Sequence, residues 1–102
     1  MPSILSKLVF FEKRVEDDGS IIEMKVWEVP VSDKSLDGVR YSLYWVKEGK
    51  TLVGYDNHHP KGPHRHYGDR QEAYEFTTIE NLIQDFLEDQ RRIHHEGQKN
   101  PN

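Results

Sequence analysis

The sequence predicts a small α+β domain in which an antiparallel sheet of four to five strands packs one face against a single C-terminal helix. Three observations predict it. Apolar and aromatic residues alternate with polar ones in short runs through the first half, turn residues separate those runs, and a helical apolar stripe arises only near the C-terminus. The length of 102 residues fits one core. The domain is expected over residues 1–93 and a disordered tail over 94–102, where no apolar residue remains.

The elements follow in order. Lys7 to Val15 carries Leu8, Val9, Phe10 and Phe11 and runs into Asp17-Asp18-Gly19-Ser20, where Asp-Gly is a two-residue hairpin signal. Ile22, Met24 and Val26 then alternate with Glu23 and Lys25, the period of a half-buried strand, with Trp27 and Val29 on the opposite face and Pro30 as the stop. Val31 to Gly38 is polar and reads as a loop. Val39, Tyr41, Leu43 and Trp45 alternate with Arg40, Ser42 and Tyr44 in a third strand; Glu48-Gly49-Lys50 turns the chain, and Thr51 to Asp56 forms a fourth. Glu72 to Phe76 reads as a short fifth strand. Thr77-Thr78-Ile79-Glu80 has the spacing of a capping box. The helix it opens, from about Thr78 to Arg92, places Ile79, Leu82, Ile83, Phe86 and Leu87 on one stripe and Arg91 and Arg92 at its negative end. Leu82 and Phe86 are expected to be buried.

Composition excludes several function classes. With no cysteine, the chain has no disulfide, no thiolate zinc site and no cysteine nucleophile, which suits the cytoplasm. The longest apolar run, Leu8 to Phe11, is far too short to span a bilayer, so neither secretion nor membrane insertion is expected. The net charge of -4 argues against a protein that coats nucleic acid with its whole surface. Charge is unevenly placed, however. From His58 to Arg70 the cations Lys61, Arg65 and Arg70 face Asp69 alone, whereas Glu80 to Asp89 holds acids and no base.

The segment from Gly54 to Arg70 concentrates the chemistry, since it holds His58, His59, His64 and His66 among those cations. Histidine titrates nearest neutral pH, so such a group supports proton transfer, phosphate binding or metal ligation. His64 and His66 lie two apart, which puts both imidazoles on one side of an extended segment. They are the expected general acid-base pair for cutting a phosphodiester through the ribose 2′-hydroxyl. Asp56 and Tyr55 would orient the groups, and Arg65, Arg70 and Lys61 would bind phosphate. No metal or other cofactor is required by that chemistry. Asp56, His58, His64 and His66 also offer ligands for zinc or manganese, and solvated surface histidines or strand-end packing explain the same residues without function. Trp27, Tyr41, Tyr44 and Trp45 read as core and sheet-face residues, with a base-stacking platform as the alternative.

Taken together, Tyr41-Ser-Leu-Tyr-Trp-Val46, Val53-Gly-Tyr-Asp-Asn57, Gly62-Pro-His-Arg-His66, Gly68-Asp-Arg70 and Tyr74-x-Phe-Thr77 resemble the TumE family, the toxin halves of small bacterial toxin-antitoxin pairs. The resemblance runs from about Leu8 to about Gln90. It implies a type II toxin neutralised by a partner, typically a helix-turn-helix antitoxin encoded beside it, and it supplies no reaction. The residues add the expectation of a small metal-independent endoribonuclease working through the histidine-rich loop, with RNA as substrate. The alternative is a non-catalytic binding protein whose loop contacts the antitoxin or another cellular target. Oligomeric state is not legible.

Overall fold

A computed structural model describes residues 5–99. Six strands, β1 (Lys7–Val15), β2 (Ile21–Glu28), β3 (Val39–Lys47), β4 (Lys50–Asp56), β5 (His64–Tyr67) and β6 (Arg70–Ala73), precede the helix α1 (Ile79–Lys99). They form one antiparallel meander in sequence order, so β1 and β6 are the edges. The helix packs on one face, chiefly over β3 and β4. The expected class is therefore correct and the strand count is not: the described residues form six strands, because the histidine segment is itself partly a hairpin. His64–Tyr67 pairs with both Asp56–Gly54 and Arg70–Ala73. Four residues each, dense in charge, gave these strands no apolar alternation to read. The expected strand Glu72 to Phe76 accordingly ends at Ala73, and Tyr74 and Phe76 beyond it pack against the core.

The turns follow from backbone sterics. Glu48 and Gly49 both adopt positive φ, 52° and 76°, as the type I′ hairpin between β3 and β4 demands. The β1–β2 connection is longer than its Asp-Gly signal suggests. Glu16 N donates to Ser20 O and Gly19 N to Glu16 O, and Gly19 at φ 84° supplies the left-handed residue that closes the loop. Ser20 is buried there: its hydroxyl donates to Asp18 and accepts from Trp45 Nε1, tying the turn to the core.

The helix starts one residue later than the capping-box spacing indicates. Thr78 Oγ1 accepts the Asn81 amide, and Asn81 reaches back to Thr77, so Thr78 is the cap. It also ends later. Residues 94–99 are helical rather than a disordered tail, and ion pairs from Arg92 to Asp89 and Glu96 support this polar extension. Residues 100–102 of the expected tail lie outside the described residues.

Ile22, Met24, Val26, Tyr41, Leu43, Trp45, Val53 and Tyr55 from the sheet meet Leu82 and Phe86 from the helix, and Leu82 and Phe86 are fully buried, as their spacing predicts. Tyr55 packs edge-on against Phe86, 5.7 Å between ring centres. Tyr41 and Trp45 are thus core residues, whereas Trp27 and Tyr44 lie on the face that the helix leaves uncovered. Replacing Phe86 by Ala should cost about 3–5 kcal/mol, the range for deleting a buried aromatic ring. Urea unfolding followed by circular dichroism measures it.

Candidate functional site

Register decides which of the expected site residues meet. Asp56 pairs with His64, Tyr55 with Arg65 and Gly54 with His66. Successive side chains of a strand point to opposite faces. Asp56, His64 and His66 therefore share the uncovered face, and Tyr55 and Arg65 share the helix face.

On the uncovered face everything converges on the Asp56 carboxylate, which is 5% exposed. Oδ1 lies 3.2 Å from His64 Nε2 and accepts the His58 amide at 3.4 Å; Oδ2 accepts from the Tyr44 hydroxyl and lies 3.3 Å from His66 Nε2. The two imidazoles sit edge to face, 4.6 Å between centres. His64 Nδ1 lies 2.7 Å from the Gly62 carbonyl. Both nitrogens of His64 are thus engaged. His66 spends one nitrogen on Asp56, and no further hydrogen bond engages it among the described residues. Burial would raise the Asp56 pKa, but the Tyr44 hydroxyl, the His58 amide and His64 outweigh it and hold the carboxyl below its ordinary value. The same burial, with Asp56 alongside, pushes the Tyr44 hydroxyl up, so it remains a donor.

Tyr44 reaches Asp56 because its cross-strand neighbour is Gly54. A Cβ at Gly54 would overlap the Tyr44 ring, so the missing side chain leaves the slot in which the ring lies flat across β4, stacked beside His66 at 6.3 Å. The segment between β4 and β5 closes the site from above. His58, His59, Pro60 and Lys61 join Ser42, Tyr44, Asp56, His64 and His66 around a cleft of about 450 Å³. Asn57 anchors the start of that segment by accepting the Tyr41 amide and donating to the Val39 carbonyl.

A second carboxylate organises the helix face. Asp89 accepts from the Tyr55 and Tyr67 hydroxyls and from Arg92, with Arg65 3.8 Å away, while Tyr74 donates to Asp85. Arg65 donates to Glu72 and lies over the rings of Tyr55, Tyr67 and Tyr74. Arg70, paired with Tyr67 across the Gly68-Asp69 turn, stacks on that ring at 5.0 Å. Here too burial alone would raise the Asp89 pKa, and the tyrosine hydroxyls and Arg92 outweigh it to lower it. This network fastens α1 to β4 and β5.

Of the residues expected at one site, the fold brings together Asp56, His64, His66 and Lys61 and takes Tyr55, Arg65 and Arg70 to the other face. The period-two relation that unites the histidines is what separates Arg65 from them. Tyr44 was missed as a site residue, and its signal, a tyrosine opposite a glycine, exists only once the register is known. Asp56, His64 and His66 also present ligand atoms within 4.8 Å of one another, a donor set that a divalent transition metal accepts.

Two predictions follow from these contacts. Gly54→Ala should displace the Tyr44 ring and destabilise by about 1–3 kcal/mol, as overpacking does, and most of that cost should vanish in a Tyr44→Ala background; a double-mutant cycle reads the coupling. Asp56 and Asp89 are both lowered from 3.8 in the folded state, so the unfolded chain binds more protons just below that value. Their stabilisation is complete above pH 3.8 and drains as pH falls through the lower folded values. Asp89→Asn should flatten the acid limb of the stability curve measured by denaturant unfolding.

No helix among the described residues is long and apolar enough to cross a membrane. Searches of curated proteins and of solved structures return no match. The family model described as toxin TumE matches residues 4–94, which takes in the whole sheet, the cleft and most of α1, and the chain belongs to that toxin family.

Proposed function

We propose that this chain is the toxin of a type II toxin-antitoxin pair and that it cuts RNA in the Asp56 cleft without a metal. The observation that carries the reading is the tethering of His66. Asp56 holds one of its nitrogens at 3.3 Å, and the ring lines an open cleft beside Lys61. A carboxylate that orients an imidazole in this way fixes its tautomer and favours its charged form as it takes a proton.

In the proposed reaction His66 removes the proton of a ribose 2′-hydroxyl, and that oxygen forms a bond to phosphorus as the bond to the leaving 5′-oxygen breaks. His58, whose amide is tied to Asp56 at the cleft rim, gives a proton to the leaving oxygen. The products are a 2′,3′-cyclic phosphate and a 5′-hydroxyl. Lys61 neutralises charge on the phosphoryl oxygens. His64 takes a different part from the acid-base partnership that the sequence suggests: with both nitrogens engaged, it serves to hold the Asp56 carboxylate in place. Arg65 and Arg70, on the other face, take no part in phosphate binding. A helix-turn-helix antitoxin would silence the protein in the cytoplasm by laying acidic residues over the cleft.

His66→Ala should lower the rate of RNA cleavage by about 10²- to 10⁴-fold, the usual contribution of an acid-base group, with thermal stability nearly unchanged. Cleavage should survive chelator and leave cyclic phosphate ends. Growth arrest by folded His66→Ala protein at the parent level would show that the cleft is a binding surface and not a reaction centre, and loss of cleavage with chelator would transfer Asp56, His64 and His66 to the metal.

A further inference from the structure

The cleft occupies one end of a larger surface that none of these contacts uses. The sheet face away from α1 is uncovered, and register places its residues in rows across the strands. One row runs Phe11, Lys25, Ser42, Asp56, His64; the next runs Lys13, Glu23, Tyr44, Gly54, His66; Trp27 stands opposite Leu8 and Arg40 beyond them. Strands lie about 4.8 Å apart, so the first row extends roughly 19 Å from the β1 edge to the histidines.

Two properties of this surface are unusual for so acidic a chain. Over β1 to β3 Lys13, Lys25 and Arg40 face Glu23 alone; Glu23 lies 4.0 Å from Lys13 and 3.4 Å from Lys25, which leaves the strip a net positive charge. This cationic strip lies on the approach to the cleft. Aromatic rings are interleaved with those cations: Phe11 is 52% exposed, Trp27 is half-buried, and Tyr44 lies flat against β4 next to His66. Flat rings set among cations on an open sheet suit unpaired bases, which stack on the rings while their phosphates meet Lys and Arg. A duplex hides its bases and offers nothing to the rings.

We infer that this face is a track for single-stranded RNA, which runs from Phe11 and Trp27 over Lys25 and Arg40 and delivers a phosphodiester to the His66 cleft. The inference rests on the reading of that cleft as an RNA-cleaving site, and it names the substrate as unpaired RNA.

The test uses His66→Ala protein, so that binding is read without cleavage, and a short unstructured oligoribonucleotide followed by fluorescence anisotropy. Affinity should fall as salt rises, and a duplex of the same length should bind more weakly. Trp27→Ala should weaken binding by about 5- to 100-fold, the range for one lost base stack, and Lys25→Ala should lessen the salt dependence. Arg91→Ala, on the exposed side of the helix, should change neither. In the cleaving protein Trp27→Ala should raise KM more than it lowers kcat. Unchanged affinity in both Trp27→Ala and Lys25→Ala, or equal binding of duplex, overturns the track and leaves the cleavage site standing on its own assay. Weakened binding in these variants, alongside a parent protein that cuts no RNA, keeps the track and removes the nuclease. If the variants leave RNA affinity alone but abolish binding of the antitoxin, the face is a protein-docking surface and the inference is wrong.

Discussion

The pairing of β4 with β5 is the constraint on which the rest of this molecule depends. It sets Asp56 against His64 and Tyr55 against Arg65, and the alternation of a strand then sends each pair to its own side of the sheet. A one-residue slip would exchange them, burying imidazoles under the helix and exposing Tyr55, which is wholly buried against Phe86 and donates to Asp89. The hydroxyls of Tyr55 and Tyr67 can reach the helix only in the observed register. The network that fastens the helix therefore also locks the register that assembles the cleft, so the two faces are coupled although they share no side chain.

The two carboxylates do similar electrostatic work for different ends. Asp89 is ringed by hydroxyl donors and arginine, in a setting whose purpose is attachment: every donor belongs to a packed element, and nothing is left over for a ligand. Asp56 is also satisfied, yet one of its donors, His66, keeps a free edge toward open space, and another, the His58 amide, belongs to the segment that shapes the rim. A buried anion satisfied by groups that also face a cleft is the arrangement found where a proton or a charged group is handled. Lowered carboxylate pKa values alone would not distinguish the sites, since both Asp56 and Asp89 are lowered.

What the sequence revealed and what it hid have a common physical basis. Strands β2 and β3 were legible because each has one face to bury, which writes a period of two into the residues, as Ile22, Met24 and Val26 illustrate; β1 and β4 were legible from short apolar runs beside turn residues. The helix was legible from its stripe and its threonine caps, to within a residue at the start. Its end was not, since beyond Ile93 it is held by local charge pairs and by continuation of the backbone ladder rather than by an apolar face. Strands β5 and β6 were hidden because their polar residues serve both faces, the histidines on one and Arg65 with Glu72 on the other. The site was half legible for the same reason. Clustering in sequence pointed to the right segment, but clustering says nothing about side. Once His64–Tyr67 is a strand, the short list of acids, bases and cations divides by parity.

That division also explains how an acidic chain can present a cationic surface. The formal charge of -4 describes the whole molecule, but over β1 to β3 the open face sets Lys13, Lys25 and Arg40 against Glu23. Fields near a surface are set by the nearest charges, since screening at physiological salt reduces interactions beyond about 8 Å. The helix acids lie across the thickness of the sheet and the helix layer, and sheet-to-layer spacings are about 10 Å, so they contribute little at the open face. Net negative charge disfavours indiscriminate contact with polyanions, while the cations on one face keep a local positive field beside its rings. A partner whose acidic residues match a face of this kind gains orientation and association rate from the complementary charge.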